Sequence, residues 1–179
     1  RHSYPHSWRS KAPLIYRNTP QWFISMEKNK LREIALKSID ETIFYPAQGQ
    51  TRLRSMIETR PDWCISRQRV WGVPLPLFVS KETGQPLRDK SIIDRIADIY
   101  EKEGSDTWFT EDPQRFLGDK YSIDDYEQIK DVVEVWFDSG STHAFCLEKR
   151  DDLKWPASMY LEGSDQHRGW FHSSLLESS

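Results

Sequence analysis

The chain has 179 residues, which suits one domain or a core with one insertion, and its formal net charge of −3 excludes an overall positive field that attracts nucleic acid. Charged residues make up 30% of the chain, the mean hydropathy is −0.75, and no apolar run approaches the length that crosses a membrane. The two cysteines lie far apart in sequence, which argues against a disulfide framework and favours a reducing, cytoplasmic setting.

The first part of the chain predicts an extended start followed by two helices. Residues 1–26 are rich in aromatic residues and proline, a composition typical of extended or irregular chain. Residues 27–40 place aliphatic side chains at helical spacing and predict an amphipathic helix. Residues 48–59 predict a second helix, which ends before Pro61 because the residue preceding a proline disfavours the helical conformation.

The middle of the chain is more polar. Residues 73–79 predict an edge strand, since their prolines cannot donate within a sheet, and residues 81–84 predict a turn. Residues 89–104 predict a helix with an aspartate as N-cap and a glycine at the end. Residues 105–130 are acidic and aromatic, with few long apolar runs. We therefore interpret residues 80–130 as an insertion between two more apolar halves.

The last part of the chain returns to strand and helix signals. Residues 131–137 and 158–163 predict strands, and a helix is predicted from about Gln166. The pattern of the whole chain is mixed α/β. Because the chain begins at Arg1 rather than methionine and ends at Ser179 inside a predicted helix, we expect it to be an internal segment of a longer protein.

The stretch YLEGSDQ combines acidic and amide side chains at a predicted strand-to-helix turn. In open α/β sheets, ligands bind at the carboxyl ends of strands, and Gly163 would allow close backbone approach there. Glu162 and Asp165 could hold an ammonium group or ribose hydroxyls, and Gln166 could bond a ligand or a base. The alternative is a helix cap, with Ser164 or Asp165 capping and the acidic residues complementing the helix dipole.

The eight tryptophans require a core or a ligand pocket, because such rings are costly to leave in water. Trp136 lies near the end of the strand predicted over residues 131–137. Its ring could form the floor of an apolar pocket. Burial in the core is an equal alternative for this ring.

Residues 52–72 interleave arginines with tryptophans, a combination that suits phosphate and stacking contacts. Arg67 and Arg69 are the candidates for contacts to phosphate. The alternative is a solvated face that pairs with the many acidic residues of the chain.

Two histidine pairs raise the question of a metal site. His2 with His6 and His167 with His172 lack cysteine or carboxylate partners at metal-ligand spacing, and the second pair would diverge on a helix. We therefore expect no metal, and we expect Cys64 to be a small buried residue.

Four stretches, in this order, resemble the class I aminoacyl-tRNA synthetases for branched aliphatic amino acids: PHSWRSKAPLIYRNTPQWF, RPDWCISRQRVWGVPLPLF, VVEVWFDSG and YLEGSDQHRGWFHSSLL. The resemblance covers essentially the whole chain and is weakest over residues 80–130. The bacterial isoleucyl subfamily is the most similar. WCISRQ is shared with the valyl relative, but GSDQHRGWF stands where the valyl relative has Gly-Phe-Asp-Ile and the leucyl relative has Gly-Ile-Glu-His.

The resemblance implies part of a Rossmann-like catalytic core with connective-peptide insertions and an incomplete sheet. Residues 1–46 would form the return stalk of the editing insertion and a connecting helix, and residues 47–79 a catalytic-core segment. Residues 80–130 would form a second connective insertion, and residues 131–179 the core strand and helix with the site. The family's His-Ile-Gly-His and Lys-Met-Ser-Lys-Ser motifs and its editing residues are absent from this sequence, so we expect the isolated chain to be inactive.

The resemblance also implies the roles of five side chains. Glu162, Asp165 and Gln166 match positions that contact the aminoacyl-adenylate. Trp136 and Trp170 match the two tryptophans of the isoleucine pocket. No complete catalytic set lies within the chain.

One departure from the family concerns a structural zinc site. Many relatives have Cys-Trp-Arg-Cys where this chain has Ser7, Trp8, Arg9 and Ser10. Serine hydroxyls are poor zinc ligands at neutral pH, because such sites require thiolates. We therefore predict that this chain binds no zinc.

The implied parent is an ATP-dependent ligase that joins isoleucine to its tRNA, with ATP and Mg as substrate. It would be a cytoplasmic monomer without membrane attachment. One alternative is a valyl or related class I synthetase. Another is a non-catalytic tRNA-binding or interaction module with the same fold.

Overall fold

The computed structural model describes residues 3–179, so the His2 of the first histidine pair lies outside the described residues. Within that range, seven α-helices and six short strands are present, and the strands form three antiparallel pairs. The helices are α1 (Leu31–Glu41), α2 (Gln48–Glu58), α3 (Lys90–Glu103), α4 (Thr107–Thr110), α5 (Pro113–Leu117), α6 (Val135–Gly140) and α7 (Trp170–Ser178). The strands are β1 (Phe23–Ile24), β2 (Trp63–Cys64), β3 (Ser66–Arg67), β4 (Phe78–Ser80), β5 (Tyr126–Gln128) and β6 (Val132–Val133). This mixture is compatible with the predicted α/β class.

The strand pairs join parts of the chain that are distant in sequence. β1 pairs with β2, so that Phe23 lies opposite Cys64. β3 pairs with β6, so that Ser66 lies opposite Val133. β4 pairs with β5, and the Ile129 amide continues this ladder by donating to the Leu77 carbonyl at 2.9 Å. The segment between β4 and β5 therefore leaves and re-enters the fold at neighbouring positions.

The first two helices pack around one hydrophobic core, and both were predicted. α2 covers the predicted range 48–59 almost completely. α1 begins at Leu31 rather than near residue 27, because Asn29 and Lys30 have left-handed φ angles of 57° and 62° within a preceding 3₁₀ turn. The buried members of this core are Met26, Ala35, Ile39, Leu53, Ile57, Trp63 and Leu176.

The segment between β4 and β5 has a core of its own. The helix predicted over residues 89–104 is confirmed as α3, whose start is capped by Asp89 Oδ1 accepting from the Ser91 amide at 2.9 Å. Gly104, with φ of 87°, ends it. The buried members of the second core are Phe78, Ile92, Ile96, Trp108, Phe116 and Leu117. Residues 105–130 thus supply much of this core despite their polar composition.

The edge strand predicted over residues 73–79 is only partly present. Regular strand geometry is confined to β4, while Pro74 forms an isolated bridge with Val132 and the Leu75 amide donates to the Asp131 carbonyl at 2.9 Å. The turn at residues 81–84 is confirmed, and it ends at Gly84 with φ of 67°.

One strand prediction is only partly correct, and another is wrong. The strand predicted over residues 131–137 stops after Val133, and α6 begins at Val135 because the Glu134 side chain accepts a hydrogen bond from the Trp136 amide. Residues 158–163 form no strand. The helix predicted from about Gln166 is present as α7, but it begins at Trp170, after a 3₁₀ turn over Ser164–Arg168.

None of the helices within residues 3–179 is both long and apolar enough to cross a bilayer.

Candidate functional site

Helices α6 and α7 bring the two candidate pocket tryptophans together. The Trp170 indole N–H donates to the Ser139 carbonyl at the end of α6 at 2.8 Å. A Cβ added at Gly169 would lie 2.8 Å from Cη2 of Trp136, so this ring reaches the start of α7 only because residue 169 is glycine. Trp136 and Trp170 therefore each reach the neighbouring helix, and their shared role in one site stays a prediction.

The two tryptophans differ in how firmly they are held. Trp170 stacks on Tyr160 with ring centroids 4.4 Å apart and an interplanar angle of 15°. The Tyr160 hydroxyl in turn lies 3.1 Å from the Ser174 Oγ of α7. Trp136 is 41% exposed, which places its ring at the surface and not in the core. One ring is thus fixed by its neighbours and the other is available to a ligand.

Gln166 connects the acidic turn, residues 162–165, to α7. Its Oε1 accepts from the Trp170 amide at 2.9 Å, and its Nε2 donates to Asp165 Oδ2 at 3.0 Å. The alternative that Ser164 or Asp165 caps the helix is wrong, because neither side chain makes a capping hydrogen bond and Gln166 takes that role.

The two carboxylates of the turn face solvent. Glu162 and Asp165 are both exposed. Gly163 has an ordinary extended φ of −68°, so it is not needed for an unusual backbone conformation. A Cβ at that position would, however, lie 2.7 Å from Asp165 Oδ1. The glycine therefore makes room for the Asp165 carboxylate, and the expected close approach of a ligand to its backbone stays a prediction.

Glu134 is a site residue that the sequence did not reveal. Its side chain is 5% exposed, although carboxylates are rarely buried without partners. Oε1 accepts from the Trp136 amide at 2.9 Å, and Oε2 accepts from Arg67 Nη2 at 3.1 Å. A glutamate two residues before a tryptophan is compatible with a strand or a cap, so only the fold identifies Glu134 as a cap.

Three carboxyl groups, those of Glu134, Asp138 and Glu177, lie close to one another where α6 packs against α7. Burial raises the pKa of Glu177 to about 8, and the negative charges of Asp138 and Glu134 add to this shift. Burial also raises the pKa of Asp138, with a smaller contribution from Glu134. A Cβ at Gly140 would lie 2.0 Å from Glu177 Oε1, so this glycine lets the Glu177 carboxyl reach α6.

The second histidine pair is buried next to arginines. Burial, with the charge of Arg60, lowers the pKa of His172 to about 4, and burial with the charge of Arg52 lowers the pKa of His167. His172 Nδ1 lies 3.2 Å from the backbone carbonyl of His167, and the divergence of the two side chains stays a prediction. Among residues 3–179, no three His, Cys, Asp or Glu side chains are grouped as metal ligands.

The arginine and serine candidates have contrasting surroundings. Arg67 is fixed by its own strand, donating to the carbonyls of Cys64 at 3.0 Å and Ser66 at 2.8 Å as well as to Glu134. Arg69 lies exposed in the following loop. The Ser7 and Ser10 hydroxyls accept hydrogen bonds from backbone amides in a tight turn.

Another groove lies away from the tryptophans and is less suited to an apolar ligand. It is built from residues 80–126 alone, and charged side chains such as Lys81, Lys120 and Asp124 line it. Lys120 is already paired with Asp89. The Trp136–Trp170 surface remains the better candidate for an aliphatic side chain.

Comparison with known proteins identifies the family of this chain. Residues 8–179 match the family described as tRNA synthetases class I (I, L, M and V). The chain belongs to this family. Among class I tRNA synthetases of this group, it is 73% identical over 177 residues to the isoleucine–tRNA ligase of Pelagibacter ubique. It is 63% identical over 184 residues to the isoleucine–tRNA ligase of Brucella abortus, and 58% identical over 186 residues to that of Zymomonas mobilis.

These matches cover 99% of this chain but only 19–20% of each relative. The chain therefore spans about a fifth of the length of the curated class I synthetases that it matches.

Proposed function

We propose that this chain is the part of an isoleucine–tRNA ligase that carries one side of the isoleucine and aminoacyl-adenylate site. The observation that carries the proposal is the convergence of Trp136 and Trp170 at Gly169 in a chain that is 73% identical to a relative of that name. The whole protein would use isoleucine, ATP with Mg, and tRNA as substrates. It would form isoleucyl-adenylate and then transfer the acyl group to the tRNA.

The two tryptophans would bind the aliphatic side chain of the amino acid. Flat apolar walls exclude water from a branched side chain, and each buried methylene contributes about 0.8 kcal/mol. In a closely packed pocket, where lost contacts add to this transfer free energy, one methylene discriminates isoleucine from valine by only about 10 to 200-fold. An isoleucine site of this kind therefore needs a separate editing site, which would lie in another part of the protein.

The acidic turn would bind the polar parts of the adenylate. Glu162 and Asp165 are exposed carboxylates, suited to an ammonium group or ribose hydroxyls. The Asp165 carboxylate is oriented by Gln166, whose amide also bonds to the first residue of α7. Positioning of this kind raises the rate by holding reacting groups in a productive geometry, without a covalent enzyme intermediate.

The assignment of segments is also a proposal. Residues 80–130 would be a connective insertion, which their separate core and the adjacent β4 and β5 support. Residues 1–46 would be the return stalk of the editing insertion with its connecting helix. Residues 47–79 and 131–179 would belong to a Rossmann-like catalytic core. The antiparallel pairing of β3 with β6 supports the part of this proposal that places the two segments side by side.

Arg69 is the better candidate for a contact to tRNA or phosphate, because it is exposed, whereas Arg67 is committed to Glu134 and two carbonyls. Zinc binding near the N-terminus is not proposed. Ser7 and Ser10 offer hydroxyls that already serve the turn, and hydroxyls fit zinc poorly.

The decisive experiment is ATP–pyrophosphate exchange by the full-length protein that contains this segment. Trp136→Ala and Trp170→Ala should raise the isoleucine KM much more than the ATP KM. Removing a buried aromatic wall should cost on the order of 2 to 4 kcal/mol of amino-acid binding. The matched control is Trp8→Ala, which removes a tryptophan that is 75% exposed and outside the site, and it should change neither KM.

Equal losses for isoleucine and ATP would refute the pocket assignment and indicate general destabilisation. Exchange that depends on valine in preference to isoleucine would instead support the valyl alternative. A full-length protein without any exchange, but with tRNA binding, would support the non-catalytic alternative.

A further inference from the structure

The Glu134 carboxylate lies at a junction between the strand pair β3–β6 and helix α6. It is 5% exposed, and each of its oxygens has one donor. Oε1 accepts from the Trp136 amide at 2.9 Å and Oε2 from Arg67 Nη2 at 3.1 Å. The carboxylate therefore connects the backbone of a candidate pocket residue to a guanidinium on a paired strand.

Helix α6 depends on this junction for its position. It has six residues, which is too short to be stable on its own propensity. Its N-cap is Glu134, and its second residue is Trp136. The direction of the Trp136 ring is fixed by the point at which the helix starts, since one residue more or less rotates each side chain by about 100° around the axis.

Arg67 in turn fixes the carboxylate. Its Nη1 donates to the Cys64 and Ser66 carbonyls, so the guanidinium is held by its own chain before it meets Glu134. Its side chain is 42% exposed, whereas that of Glu134 is almost fully buried. The pair is therefore an anchored arginine that holds a buried carboxylate in one rotamer.

We infer that Glu134 is a positioning residue for the amino-acid pocket, that it acts by placing Trp136, and that Arg67 orients it. The inference rests on the proposed function, because it takes Trp136 as a wall of the isoleucine site. Glu134 does not contact the ligand. Its substitution should therefore act on isoleucine binding through Trp136 and leave the ATP site largely unaffected.

The test uses three substitutions of Glu134 in the full-length protein, with ATP–pyrophosphate exchange as the readout. Glu134→Ala removes both hydrogen bonds. Glu134→Gln keeps the shape and an acceptor for the Trp136 amide but loses the charge that Arg67 needs. Glu134→Asp keeps a good helix cap and is too short to keep both partners. We expect the isoleucine KM to increase in the order wild type, Asp, Gln, Ala.

The alanine variant should raise the isoleucine KM about 2- to 30-fold, the range that corresponds to the loss of a helix cap, with little change in the ATP KM. In combination with Trp136→Ala, it should add almost nothing, because a residue that acts through Trp136 has no effect once the ring is gone. The matched control is Asp112→Ala. Asp112 Oδ1 caps α5 by accepting from the Gln114 amide at 2.9 Å, outside the site. Its loss should lower the melting temperature but not raise the isoleucine KM.

The outcomes separate this inference from the function on which it rests. If Trp136→Ala itself leaves the isoleucine KM unchanged, the proposed pocket fails. If Trp136→Ala raises it but Glu134→Ala and Glu134→Gln do not, only the positioning role is refuted. Full additivity of Glu134→Ala and Trp136→Ala, or equal rises in both KM values, would also overturn the positioning role. Where Glu134→Ala yields too little folded protein, Glu134→Gln decides the question, because it preserves side-chain volume.

Discussion

Burial shifts the pKa values of two ionisable residues of α7 in opposite directions. His172 is 7% exposed, and its Nε2 has no hydrogen-bond partner among residues 3–179. Burial and the nearby charge of Arg60 lower its pKa to about 4. Glu177 has its pKa raised to about 8 by burial, with Asp138 and Glu134 contributing. Both residues favour their neutral forms in the folded protein, so each one couples stability to pH.

Acid should destabilise the protein through His172. Its pKa is about 4 in the folded protein, against the ordinary histidine value of 6.5 in the unfolded chain, so between these values the unfolded chain binds more protons. The free energy of unfolding therefore falls as pH drops through this window, by about 2 kcal/mol between about pH 7.5 and about pH 5. Urea unfolding of the chain across this range measures the slope. His172→Asn should flatten it, and an unchanged slope would contradict the assignment.

The raised pKa of Glu177 predicts the opposite dependence of stability on pH. Its pKa rises from the ordinary glutamate value of 4.5 in the unfolded chain to about 8 in the folded protein. The folded protein therefore binds more protons between these values and loses stability as pH rises through that window. Glu177→Gln keeps the shape without the charge and should raise the melting temperature at about pH 8 more than at about pH 5. Glu103→Gln is the control, because that carboxylate pairs with Arg115 and its pKa is lowered. A gain of equal size in both variants would exclude a specific role for Glu177.

At the scale of helices and strands, local signals predicted the helices better than the strands. α2 and α3 were predicted within one or two residues, because spacing, caps and a terminal glycine are all local. The stretch around Val133 and Val135 alternates like a strand, yet the chain turns into α6 there. A long-range contact decides this, since Glu134 is held by Arg67 of another strand. Periodicity along the chain contains no information about that partner.

Local sequence signals also gave no indication of how residues 105–130 pack. Their acidic composition and few long apolar runs did not predict a core, whereas Trp108 and Phe116 are completely buried. Their rings lie 4.8 Å apart, and Phe78 packs on Trp108 from β4 with a centroid separation of 5.1 Å. A few large rings can form a core where most residues are polar, because each ring buries a large apolar area.

The second core should therefore depend on Trp108. Trp108→Ala should cost about 3 to 5 kcal/mol, as expected for a buried aromatic ring. Because the two cores share no buried member, the loss should melt α3 to α5 and leave the packing of α1 against α2 intact. Hydrogen exchange resolved by segment measures this. Simultaneous loss of protection in α2 would show instead that the two cores unfold as one unit.

Trp108→Phe is the graded control for this prediction. It keeps an aromatic ring but removes the indole N–H that donates to the Ile129 carbonyl at 2.7 Å. Leaving that carbonyl without a donor should cost about 1 to 3 kcal/mol. The effect should be smaller than that of the alanine variant and confined to the same segment.

At the scale of the whole molecule, the resemblance to the family proposed residues for the candidate site but did not predict how their side chains are arranged. The resemblance named Trp136 and Trp170, which lie together. It did not reveal that Tyr160 stacks on Trp170, that Gln166 caps α7, or that Glu134 anchors α6. These are contacts between elements distant in sequence or between neighbouring turns, and they follow from packing.

The exposure of the site predicts how the 179-residue chain itself behaves. Trp136 is 41% exposed, and Glu162 and Asp165 face solvent, so an amino acid would contact these groups on one side only. Burying about half of an aliphatic side chain contributes about 1 to 2 kcal/mol, which is less than the cost of about 4 kcal/mol or more for immobilising a ligand. We therefore expect isoleucine to bind this chain more weakly than about 1 mM, where the binding free energy is about −4.1 kcal/mol. We also expect no isoleucine-dependent pyrophosphate exchange.

Calorimetry with isoleucine, with valine as the matched ligand, and the exchange assay on the same preparation test this expectation. Heat signals that are weak and equal for the two amino acids would agree with a one-sided surface. Exchange well above a blank, abolished by Glu162→Ala, would contradict it, because such turnover requires an amino-acid and nucleotide site enclosed by these 179 residues alone. In that case the exposed faces of Trp136 and Asp165 would have to be covered during the reaction by movement within this chain.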